Sequence, residues 1–84
     1  MIVRSDVAFD CSNLTAEKFL SLISRLGEEY WICDKSRYEW PDTGNIDAYI
    51  TLSFEDISAG TFVEEVSKVA GIIAREYEND LTTR

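Results

Sequence analysis

The sequence predicts an α+β fold: one β-α-β-β-α domain over residues 1–84, with a three-stranded sheet in the order 1-3-2 and two helices on one face. Three observations carry this reading. Ile46-Asp47-Ala48-Tyr49-Ile50-Thr51-Leu52-Ser53-Phe54 alternates strictly between apolar and mostly polar residues, the period of a strand with one buried face. Leu14-Thr15-Ala16-Glu17-Lys18-Phe19 and Ile57-Ser58-Ala59-Gly60-Thr61-Phe62 repeat one pattern: an apolar residue, a hydroxyl cap, and a Phe one turn on. Finally, Pro41-Asp42-Thr43-Gly44-Asn45 is a turn sequence set between two strand-like stretches, with Pro fixing φ and Gly supplying a left-handed position.

The first strand is expected over residues 2–9, with Val3, Ser5, Val7 and Phe9 on the core face and Arg4, Asp6 and Ala8 on the other. Asp10-Cys11-Ser12-Asn13 ends it with turn formers. In the first helix Thr15 is the N-cap, its hydroxyl accepting from a backbone N–H that has no helical partner. Leu14 and Phe19 stand at the staple positions around it. Ala16, Phe19, Ile23, Leu26 and Tyr30, flanked by Leu22, form the buried stripe of a helix of about 15 residues.

The second strand, from about Tyr30 to Trp40, alternates less cleanly. A five-residue loop, Pro41 to Asn45, pairs Trp40 with Ile46. That register sends Trp40, Tyr38 and Ile32 to the core face and Glu39, Arg37, Lys35 and Cys33 to the open face. A loop shorter by one residue inverts each of these assignments. In the second helix Phe62, Val66, Val69, Ala70, Ile73 and Tyr77 form the buried stripe as far as about Glu78. A frayed tail is expected from about residue 79.

A helical crossover joins parallel strands with a right hand, and a tight turn joins antiparallel ones. Strand three therefore falls between the other two. In topology alone the arrangement resembles a ferredoxin-like split βαβ fold without its last strand. It places Cys11 beyond the end of strand one and Cys33 near the start of strand two, separated by on the order of 20 Å. A disulfide requires Cα atoms within about 7 Å, so two free thiols are expected, in keeping with a reducing compartment.

Sixteen acidic residues against eight basic ones give a net charge of −8. Such a charge repels nucleic acid, which is bound through a basic footprint, and steers the chain towards basic partners. No direct nucleic-acid binding is expected. No apolar run approaches the ~20 residues of a membrane span and no signal peptide is visible, so no membrane association and a cytoplasmic location are expected.

The chain has no histidine. That removes the commonest general base, metal ligand and nucleophile activator. No catalytic, cofactor-binding or metal-binding residue is assigned, and no cofactor is expected. Asp42-Thr43-Gly44 spells the aspartic-protease triplet, yet the turn accounts for every residue of it, and the same stretch is only a faint echo of a calcium loop.

Two surfaces are candidates for binding. The open sheet face is expected to present Arg4, Asp6, Lys35, Arg37, Asp47, Tyr49 and Thr51. The outer face of the second helix is expected to present Ile72 as an apolar anchor among Glu64, Glu65, Lys68 and Glu76. In size, charge and lack of catalytic residues the chain is similar to toxin-immunity proteins, phage-encoded inhibitors and DNA mimics. The expectation is a small, acidic, non-enzymatic protein that inhibits or masks a basic surface of a protein partner. The alternative is a structural or assembly subunit, most simply a homodimer, joined through free sheet edges.

Overall fold

The structure, a computed structural model, describes residues 1–78. The tail expected from about residue 79 lies outside the described residues. Strands β1 (Ile2–Asp10), β2 (Trp31–Glu39) and β3 (Ile46–Ile57) form one sheet in the order β1-β3-β2. Both outer strands are antiparallel to β3 and hence parallel to each other. Helices α1 (Ala16–Gly27) and α2 (Ala59–Ile72) cover one face, and a π-helical segment (Ile73–Glu78) continues α2.

The alternation of β3 reads directly into burial. Ala48, Ile50, Leu52 and Phe54 are buried against the helices, while Asp47 and Tyr49 are exposed on the opposite face. Val7 and Phe9 stand opposite Leu52 and Ile50 and extend the core onto β1. Val3 is exposed, although its parity is that of the core face. At Asp56, φ is 51°, a left-handed backbone that Asp tolerates better than most residues. Asp56 lies within β3, between Glu55, which pairs with Arg4, and Ile57, which pairs with Ile2.

Both helix starts are built as the sequence predicts. Thr15 Oγ1 accepts from Lys18 N at 3.2 Å and Ser58 Oγ accepts from Thr61 N at 3.2 Å. Leu14 is fully buried beside buried Phe19. Phe19, Leu22 and Leu26 form the buried stripe of α1 with Ile23 at its margin, whereas Ala16 is exposed. The helix itself ends at Gly27, short of the expected length, and a turn carries the chain to Tyr30.

In α2 and the segment after it, Phe62, Val66, Val69, Ile73 and Tyr77 pack on the core as expected, with one exchange in the stripe. Ile72 is buried with Val69 and Ile73, and Ala70 is exposed. A π-helical turn holds about one residue more than an α-turn, which brings Tyr77 round onto α1. There Lys18 Nζ donates to Tyr77 O at 3.3 Å and the Arg25 guanidinium pairs with Glu76.

The register of β2 differs from expectation by one residue. Glu39, not Trp40, pairs with Ile46, so the connecting loop takes in Trp40. Gly44, at φ 75°, closes it: Gly44 N donates to Trp40 O at 2.8 Å and Trp40 N donates to Asn45 O at 2.7 Å. The shift turns Lys35, Arg37 and Glu39 to the helix-covered side, opposite Ile50, Ala48 and Ile46. It turns Tyr38 and Trp40 outward, where each is about half exposed, at 50 % and 49 %.

A β-bulge at Cys33 then restores the expected side for Ile32, which pairs with Leu52 and packs on the core. Without the extra residue Ile32 would point away from the helices. The thiols are free. Cys11 N donates to Ala48 O and Cys33 Sγ to Thr51 O, on opposite sides of β3. Strand spacing and rise separate them by on the order of 15 Å, beyond bridging distance.

Candidate functional site: the open sheet face

The face of the sheet turned away from the helices is a surface without a cavity; no pocket is formed among the described residues. Its composition follows from the pleat. In β1, Arg4, Asp6, Ala8 and Asp10 point outward, and in β3 Asp47, Tyr49, Thr51, Ser53 and Glu55 do so. Through the register shift and the bulge, β2 contributes Trp31, Asp34, Ser36 and Tyr38. Trp40 joins them from the loop, its ring edge-on to Tyr38 with centroids 4.8 Å apart.

Trp31, Tyr38, Trp40 and Tyr49 are all exposed on this one face. They lie among Asp6, Asp10, Asp34, Asp47 and Glu55, with Arg4 as the basic residue of the face. Isolated exposed apolar side chains, such as Leu20 and Val63 on the helices, are ordinary. Four aromatics with polar tips on one face, two of them in ring contact, have the composition of an interface core.

The aromatics are held in place by the acids. Trp40 Nε1 donates to Asp47 Oδ2 at 2.7 Å, and Tyr49 Oη donates to Asp34 Oδ2 at 3.0 Å. The second bond stabilises the neutral phenol and raises the Tyr49 pKa, through Asp34 as acceptor and as neighbouring charge. At the other end, Arg4 donates from Nε to Asp6 Oδ1 at 3.1 Å and from Nη2 to Oδ2 at 3.3 Å. This pairing holds the Asp6 carboxyl below the usual range. The same guanidinium carbon lies 5.1 Å from the centre of the Trp31 ring, within cation–π reach. Beneath this group Ser53 is buried, directly opposite Asp6 in the β1–β3 ladder.

Asp47 and Tyr49 are where the sequence places them, on the open face. Arg37 is not. It stands opposite Ala48 on the helix side, and its Nε donates to Leu14 O at 3.3 Å. Lys35 leaves the open face with it.

The helix-two surface does not assemble. Ile72 is 8 % exposed and belongs to the core. Glu65 is half-buried and accepts from Tyr30 Oη at 2.5 Å; burial first, and then this bond, raise the pKa of that phenol. Glu76 is occupied by Arg25, which lowers its pKa. Lys68, a potential partner of Glu64 at i+4, donates instead to Glu29 at 3.2 Å. Glu64 remains as an exposed acid.

Trp31, Asp34, Tyr38 and Trp40 are the residues that the sequence reading leaves out. One signal points to all but Trp31, which the bulge at Cys33 brings to this face. Asp34 and Ser36 share parity with Tyr38 and Trp40, so a core placement of the rings would bury two polar side chains without partners.

No family model matches the chain, and neither curated proteins nor solved structures yield a significant match. Among the described residues no helix is long and apolar enough to cross a membrane, and no group of three or more His, Cys, Asp or Glu side chains is placed to hold a metal ion.

Proposed function

We propose that the protein is a small, acidic, non-enzymatic binding protein that masks a basic surface of another protein, in the manner of immunity proteins, phage inhibitors and DNA mimics. The observation that carries this reading is the exposure of four aromatic residues among five carboxylates on the uncovered sheet face. Carboxylates attract and orient a cationic partner during encounter, and the aromatic rings supply the contact area that slows release. Of the two candidate surfaces, the open sheet face supports this reading and the helix-two face, with Ile72 buried, does not.

The test uses the protein as bait in an extract of its host. Capture of a basic protein should fall steeply between about 0.1 and 0.5 M salt, where the screening length shrinks from ~10 to roughly 4 Å. A variant combining Asp34→Asn, Asp47→Asn and Glu55→Gln should lose capture while keeping its fold. Capture that ignores both salt and these substitutions overturns the reading.

A second reading, self-assembly through a sheet edge, has its support at β1. Its residue Val3 is 76 % exposed. The β2 edge, by contrast, carries the charges of Lys35, Arg37 and Glu39 on its helix side, a placement that discourages edge pairing. Light scattering over a hundredfold range of concentration separates the two readings. A dimer broken by Val3→Pro supports the second, and a monomer throughout removes it.

A further inference from the structure

The face already shows how it holds one guanidinium. Arg4 is gripped on its edge by both oxygens of Asp6, at 3.1 and 3.3 Å, and lies against the Trp31 ring at 5.1 Å. A carboxylate fork plus an aromatic plane is the arrangement that suits arginine, whose planar cation both chelates and stacks.

The hairpin half of the same face repeats these parts. Asp47 stands directly opposite Tyr38 in the β2–β3 ladder. The Trp40 indole N–H is fixed to Asp47 Oδ2 at 2.7 Å, and the two rings meet edge-on at 80°. Both rings are half exposed. Yet no ion pair among the described residues involves Asp47. The carboxylate accepts one bond from the indole and has further lone pairs to offer. The charge and the rings are thus present, and the cation that completes the first site has no counterpart at the second among the described residues.

We infer that Asp47, Tyr38 and Trp40 form a subsite for an arginine side chain of the protein partner. This rests on the masking role proposed above and specifies which partner group the hairpin half receives. The guanidinium sits against the exposed ring faces and donates to Asp47, as Arg4 does to Asp6. Lysine, a compact and strongly hydrated ammonium, matches only the charge.

Nuclear magnetic resonance on the full chain tests it, since the protein has two tryptophans and therefore two indole N–H signals. Trp31→Phe assigns them. The ligand titrated is a blocked peptide of three arginines separated by glycines, with the lysine equivalent as comparison. The Trp40 indole should shift saturably with the arginine peptide, at least threefold more tightly than with lysine. The Trp31 indole, already covered by Arg4, should shift far less. Asp47→Asn should weaken binding at least fivefold, and Tyr38→Leu should weaken it while leaving the amide spectrum otherwise unchanged. An unmoved Trp40 signal, equal response to lysine, or an Asp47→Asn titration identical to the parent overturns the subsite. If a basic partner is still captured in a salt-sensitive way, masking stands and the arginine subsite alone fails. If Trp40 responds and no basic partner is captured, the subsite stands and masking fails.

Discussion

Arg37 is paired with Ala48 across the β2–β3 ladder, and its Nε donates to the carbonyl of Leu14 at 3.3 Å. This contact ties the edge strand to the N-terminal end of α1. It goes with the facing of β2: Arg37 lies on the helix side and its neighbour Tyr38 points the other way.

The two neighbours should therefore respond oppositely to substitution. Arg37→Ala removes a donor from a backbone carbonyl next to the core and should cost about 1–2 kcal/mol. Tyr38→Ala removes a ring that is half exposed and should cost under about 1 kcal/mol. Urea denaturation of both variants measures the difference. The reverse order would place Tyr38 in the core and restore the shorter loop.

Leu52 is fully buried and Ile72 is 8 % exposed. Leu52→Ala and Ile72→Ala should each cost ~2–5 kcal/mol, the range for large-to-small changes in a packed core. A loss under about 1 kcal/mol at Ile72 would return it to the helix surface as a free anchor. Charge reversal at Glu65 or Glu76 should also destabilise the fold, since these acids bind Tyr30 and Arg25.

The thiols give a labelling and a pH test. Cys33 is half-buried at the bulge and should react with a thiol reagent in the native protein. Cys11 is fully buried and its pKa is pushed up from 9.0 to about 11, first by burial and then by Asp10. It should label only on unfolding, without any reductant.

Because folding raises the pKa of Cys11, the native state holds that proton more tightly than the unfolded chain. Its contribution to stability is fully present below pH 9.0 and is lost as pH rises through about 11. Tyr30, also raised by burial and by Glu65, adds to the loss as pH rises above 10.0. Above the range in which Asp6 and Glu76 titrate, denaturation midpoints should be flat to about pH 8.5 and then fall. Cys11→Ala should make that fall shallower, and an unchanged slope would assign the alkaline loss to other groups.

Much of the fold was legible because its signals are local. The alternation in Ile46–Phe54 reports a strand with one covered face, and Thr15 and Ser58 mark helix starts through bonds to N–H groups three residues on. The order 1-3-2 follows from chain connectivity. Within the candidate site, Asp47 and Tyr49 were legible for the same reason, lying in the strand whose period is clearest.

What tertiary structure alone decided was the facing of β2 and the edge of the buried stripe of α2. In β2 the rings and the long charged chains can each lie against a core, since Arg and Lys carry apolar stems; the choice was made by the loop taking in Trp40 and by the bulge at Cys33. In α2, Ile72 and Ala70 flank the stripe on either side, and packing against the sheet together with the π-helical turn selected Ile72. The sequence by itself therefore determined which elements form and in what order. The three-dimensional packing determined that the aromatic residues gather with the carboxylates on the open face, because a strand's two faces differ by a shift of one residue and only contacts distant in sequence choose between them.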